Sequence, residues 1–114
     1  RGTQTTDADG VVTFDTCMPG WYPSRAVHIH LQVRVGGEAY VTSQLGFSET
    51  VLADVFDTHP VYSGYGQPDT SNSADNILGQ DLDQYLFRWR QADDGALVVW
   101  KTLAIRSSLS DRTC

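Results

Sequence analysis

Tyr22, His28 and His30 place one phenol and two imidazoles within nine positions of a chain that has only three histidines. His28 and His30 stand at i and i+2. Alternation along an extended strand puts such a pair on one face, where both rings can meet a single metal ion. Pro19, Gly20 and Pro23 are turn residues able to bring Tyr22 back toward that face. Two histidines on a polar strand face are otherwise ordinary surface residues or a hydrogen-bonded pair. Tyr22, the nearby Arg25 and the turn chemistry tip the reading toward a metal site.

The strand comes from the residues themselves. Val27, Ile29, Leu31, Val33 and Val35 alternate with His28, His30, Gln32 and Arg34, a period of two with no helical spacing. The odd positions are expected to face a core, and the even ones a polar site and then solvent. Residues 26–35 and 39–47 form a central hairpin about Gly36-Gly37-Glu38. Residues 11–16 read as a short strand after a turn at residues 7–10. Residues 49–56 read as a helix, with Ser48 as N-cap and Glu49 in the first turn. Residues 59–76 are rich in Gly, Pro, Ser, Asn and Asp and read as a long loop, a functional lid or a flexible excursion. Residues 85–89 and 96–105 read as a closing hairpin around Asp93-Asp94-Gly95. The expected class is mostly β, an antiparallel β-sandwich with one short helix and a long loop, forming one domain over residues 1–114.

Three segments carry a family resemblance: Arg1-Gly2-Thr3-Gln4-Thr5-Thr6-Asp7-Ala8-Asp9-Gly10, Thr16-Cys17-Met18-Pro19-Gly20-Trp21-Tyr22 and Arg25-Ala26-Val27-His28-Ile29-His30. Together they resemble the core of the intradiol ring-cleavage dioxygenases, the protocatechuate and catechol dioxygenase group, and most of all its short, secreted, single-domain members. The resemblance is dense over residues 1–47, looser through residues 51–56 and 60–62, and fades after Gly79. It implies a ferric ion, Fe(3+), held by two tyrosines and two histidines, of which Tyr22, His28 and His30 match three. It also implies a catecholic substrate that chelates the ion, reacts with O2 and opens between its two hydroxyl-bearing carbons to a muconate-type product. By the same resemblance, Tyr22 is the ligand that gives way and accepts a substrate proton. Arg25 matches the active-site arginine that stabilises negative charge on the substrate. Gln44 matches a glutamine beside the reacting substrate. The family's other ligand tyrosine precedes the RG-Q-TD motif, and Tyr40, Tyr62, Tyr65 and Tyr85 match no ligand position. The chain is therefore expected to be the C-terminal part of such a domain, with a segment ahead of Arg1 supplying the further tyrosine.

The Gln44 assignment depends on hairpin register. A two-residue Gly-Gly loop would set His30 opposite Ser43 and turn Gln44 to the other face. A three-residue loop pairs Val35 with Ala39, Val33 with Val41, Leu31 with Ser43 and Ile29 with Leu45, and puts Gln44 opposite His30. Apolar then meets apolar, which is what fixes register. The three-residue loop or an equivalent bulge is expected. Val35 paired with Glu38 and no later bulge would remove the Gln44 role.

Composition narrows the alternatives. The chain has 114 residues, 40% hydrophobic and 19% charged, with a formal charge of −6 and a pI near 4.7. That is a globular balance, and the acidic sign argues against nucleic acid or an anionic membrane as partner. No apolar run reaches the roughly 20 residues of a membrane span. Cys17 and Cys114 are an even pair that suits either a disulfide in a secreted protein, with its export signal removed ahead of Arg1, or two free thiols. Two rival functions stand beside the enzyme. One is a sandwich that keeps the motif and binds metal or ligand without turnover. The other is a carbohydrate-binding sandwich with Trp21, Trp89 and Trp100 as sugar platforms, although tryptophans in apolar strands are more often core.

Overall fold

The computed structural model describes residues 2–110 and consists of two antiparallel hairpins packed around one helix. β1 (His28–Val35) pairs with β2 (Glu38–Gly46), and β3 (Arg88–Gln91) with β4 (Leu97–Trp100). Between them lie α1 (Glu49–Thr58), 3-10 turns at Ser63–Tyr65 and Leu78–Gln80, and a one-turn α2 (Leu82–Tyr85). The mostly β, antiparallel class is as expected. The closing hairpin is shorter than read, residues 78–84 coil helically where no element was expected, and Tyr85 ends α2 where a strand was expected to begin. Residues 11–16 are exposed and form no strand: their apolar side chains have no partner ladder among the described residues. The turn before them does form, with Gly10 N–H donating to Asp7 O at 3.0 Å. Cys17 is exposed, while Cys114 lies outside the described residues.

The first hairpin closes by a different route to the expected register. Val35 pairs with Glu38 and Arg34 with Ala39 across a two-residue Gly36-Gly37 turn, rather than Val35 with Ala39. Both glycines have positive φ, 57° and 84°, the backbone that a tight primed turn demands. A bulge then follows between Val33 and Arg34 and takes up Tyr40, after which Val33 meets Val41 and His30 meets Gln44. The bulge does the work of the third loop residue, because burial of Ile29 against Leu45 is worth more than an unbroken ladder.

The core cluster is Val27, Phe47, Leu52 and Phe56, with Met18, Trp21, Ile29, Val55, Tyr62, Phe87 and Val99 packed around it. α1 supplies its inner face from Val51, Leu52 and Phe56, and runs two residues beyond the expected end. Ser48 Oγ accepts from Thr50 N–H at 3.2 Å as the N-cap. Burial fades from Val27, just ahead of β1, toward the exposed Val35, so the buried root of the hairpin is the end that carries the histidines. Trp89 and Trp100 are exposed, 41% and 40%, rather than core. Trp89 stands opposite Val99 and Trp100 opposite Arg88, so the two indoles lie on opposite faces and form no common sugar platform.

Candidate metal centre

The turn between Tyr22 and β1 is built from Pro23 and Ser24. Ser24 takes φ of 72°, a left-handed conformation uncommon outside glycine. It is held there by Asp69, whose carboxylate accepts the Ser24 N–H at 3.2 Å. Arg25 N–H closes the turn on Tyr22 O at 3.4 Å. The chain thus folds back, and the Tyr22 ring meets His28 edge-on with centroids 5.7 Å apart.

Three donor atoms converge. Tyr22 Oη lies 3.3 Å from His28 Nε2, and His30 Nε2 lies 3.2 Å from the same atom. His28 Nδ1 is 2.7 Å from the Ala26 carbonyl. A carbonyl only accepts, so Nδ1 carries the proton and neutral His28 presents a bare lone pair at Nε2. One lone pair faces two polar neighbours and satisfies one of them. A cation shared by the three atoms satisfies all of them. Metal–nitrogen bonds of about 2.1 Å set neighbouring donors about 3.0–3.4 Å apart, the spacing at which Tyr22 Oη and His30 Nε2 each stand from His28 Nε2. Among the described residues no three His, Cys, Asp or Glu side chains gather to hold a metal; this donor set is two imidazoles and a phenol. A hard phenolate oxygen with two imidazoles fits a ferric ion. His28 is buried and Tyr22 is 51% exposed, so the site has an anchored root and an open mouth.

The bulged register puts Gln44 on the face expected of it, and Arg25 lies beside it in an ion pair with Asp75. Gln44 stands opposite His30 on the same face, and Arg25 Nη2 donates to Gln44 Oε1 at 2.5 Å. Sequence reasoning missed the residue that holds Arg25. Asp75 Oδ2 pairs with Arg25 Nε at 2.8 Å. Burial alone would raise the Asp75 carboxyl, but donors from Arg25, Leu78, Ile77 and Ala26 outweigh it and hold the group well below the usual carboxylate range. The Asp75 hydrogen bond in turn raises Arg25 against its own desolvation, with a smaller contribution from the Tyr22 phenol. The only sequence signal for Asp75 was an acidic residue in a stretch read as a long loop, a lid or a flexible excursion.

That stretch, residues 59–76, runs as a strap tied to the rest of the fold. Besides Asp75 and Asp69, Gly66 O accepts from Trp21 Nε1 at 3.1 Å. Buried Asn72 donates from Nδ2 to Phe47 O at 2.6 Å. Trp21 packs on the core. His59 is exposed, and its Nδ1 accepts from Val61 N–H at 3.2 Å.

No family model and no curated protein sequence matches the chain. Among solved structures it is similar to an intradiol ring-cleavage dioxygenase from Tetranychus urticae, at a TM-score of 0.78 and 26% identity over 88% of this chain. A second dioxygenase structure gives 0.77 and 26%, again over 88% of this chain. The chain spans about half the length of these structures, 50% and 49%.

Proposed function

We propose that the fold this chain shares with intradiol ring-cleavage dioxygenases carries their chemistry here: cleavage of a catecholic ring with O2 at a non-haem ferric ion held by Tyr22, His28 and His30. One observation supports it above the rest. Tyr22 Oη and His30 Nε2 both converge on Nε2 of His28, whose Nδ1 is engaged by the Ala26 carbonyl, on a fold shared with enzymes of that description. By resemblance, such a site takes a second tyrosine as a further donor. Tyr22, His28 and His30 would hold the ferric ion, which would supply Lewis-acid activation of a catecholic substrate toward O2.

The protein's own residues do the rest. Ala26 O fixes the His28 tautomer and ring direction, the outer contact that orients a metal-ligating imidazole. Tyr22, exposed and on the open side of the site, takes a proton from an arriving catechol at Oη. Arg25 turns its positive charge toward the oxygens of the substrate, where negative charge develops. Gln44, opposite His30, supplies a polar contact at the ring.

The test is a chain extended to the length of the Tetranychus urticae relative and loaded with Fe(3+). A visible ferric-tyrosinate band that shifts when catechol binds, together with oxygen uptake, is the expected result. Replacing Tyr22→Phe weakens the band, and His28→Ala lowers bound iron. A colourless preparation that takes up no iron refutes the metal site. A coloured protein that binds catechol and consumes no oxygen is instead a module that keeps the site without turnover.

A further inference from the structure

Asp75 is fifty positions from Arg25 and has no exposed side-chain surface. Its carboxylate accepts from Arg25 Nε at 2.8 Å and Ala26 N–H at 2.9 Å on Oδ2. On Oδ1 it accepts from Ile77 N–H at 2.9 Å, Leu78 N–H at 3.0 Å and Arg25 Nη2 at 3.3 Å. The three backbone donors lock the carboxylate in place. The guanidinium then meets it with two nitrogens of its fork, which fixes a plane as well as a position. Nη2 also reaches Gln44 Oε1. A guanidinium only donates, so the Gln44 atom facing it is the carbonyl oxygen, and the amide NH2 is left as a donor on the face that Gln44 shares with His30.

We propose that Asp75 is the positioning residue of this site: through Arg25 it sets the Gln44 amide so that Arg25 and Gln44 together offer N–H donors to the oxygen-bearing edge of the substrate. The assignment rests on the functional reading above for the identity of the substrate, and on the hydrogen bonds alone for the relay. A free arginine spreads its charge over many rotamers. Asp75 confines it to one, and a donor held in place acts on a developing charge without first having to reorganise. The carbonyl of Gln44, which would repel an anionic oxygen, is kept occupied.

Two readouts test the relay. The first is the Arg25 Nε–H resonance in ¹⁵N-labelled metal-free protein. The parent is expected to show a downfield, slowly exchanging signal that Asp75→Asn loses, because an asparagine amide sets its own N–H against the backbone donors. The second is steady-state oxygen uptake with catechol, per bound iron. In Asp75→Asn, kcat is expected to fall about 100-fold while KM moves by less than about threefold, the mark of an interaction made chiefly in the transition state. Arg25→Lys keeps the charge, loses the fork and leaves the buried carboxylate with a cation. It is expected to show the same kcat loss, and Asp75→Asn to add little on top of it. It also serves as the test variant should Asp75→Asn fail to fold. An unchanged Nε–H signal, parental kcat in either single variant, or fully additive losses would overturn the proposal. If the parent does not turn over, the functional reading falls, and the Nε–H signal still decides the relay.

Discussion

Gly46 is the position where the fold and the candidate site are tied most tightly. It ends β2 opposite His28, and its carbonyl accepts from Phe87 N–H at 2.9 Å. A Cβ there would lie 2.6 Å from Leu78 Cδ1, 3.1 Å from Leu86 Cδ2 and 3.4 Å from Asn72 Oδ1. Leu78 is fully buried, and its N–H is tied to Asp75 at 3.0 Å, so the side chain has no room to retreat. Gly46→Ala is therefore an overpacking change, expected to destabilise by about 1–3 kcal/mol. Leu78→Ala leaves a cavity and is expected to lose about 2–5 kcal/mol. In the double variant the added methyl enters the space that Leu78 vacates, so the losses do not add. A compensating coupling of about 1–3 kcal/mol is expected. Urea unfolding of the metal-free protein, followed by tryptophan fluorescence, measures all four corners of the cycle. Because His28 faces Gly46, iron affinity is expected to fall in Gly46→Ala and recover in the double variant. Additivity within about 0.5 kcal/mol would refute the claim that Leu78 is what keeps position 46 a glycine.

Three other outcomes follow from the same contacts. At Gly37 a Cβ meets nothing within 4 Å but φ is +84°, so Gly37→Val is expected to lose about 1–2 kcal/mol by backbone strain alone and to leave iron affinity unchanged; unfolding and iron titration check the two halves. Asp75 has a carboxyl depressed in the folded state, so its stabilising contribution is complete above the unfolded carboxylate range near pH 4 and is lost as pH falls toward the folded value. Acid unfolding of the parent is thus expected to be steeper below about pH 4 than that of Asp75→Asn, and parallel curves would count against the pairing. Ser48→Ala removes the N-cap of α1 and is expected to reduce stability by about 1 kcal/mol, read as a lower urea midpoint.

The local part of the site was legible in the chain. Alternation from Val27 to Val35 puts His28 and His30 on one face whatever surrounds them, because the period of a strand is a backbone property. Ser48 and Glu49 mark the start of α1 for an equally local reason. The burial of Ile29, Val33 and Leu45 fixed which residues of the hairpin must meet, and so put Gln44 across from His30. It did not fix how the turn would pay out one extra residue, and a bulge at Tyr40 replaced a longer loop. Residues 11–16 have the composition of a strand without the neighbour that makes one.

Asp75 marks the limit of that reading. Nothing near it in sequence distinguishes it from Asp69 or the other acidic residues of the polar strap. Its role comes from the packing of Leu78 against Gly46 and of Asn72 under Phe47, which carries the strap past the root of β1 and brings a carboxylate to Arg25. Residue type and strand period by themselves determined a tyrosine, two histidines and the face they share. Tertiary structure decided which carboxylate meets the arginine and which atom of Gln44 the arginine holds, because those depend on contacts between segments that local backbone rules leave independent.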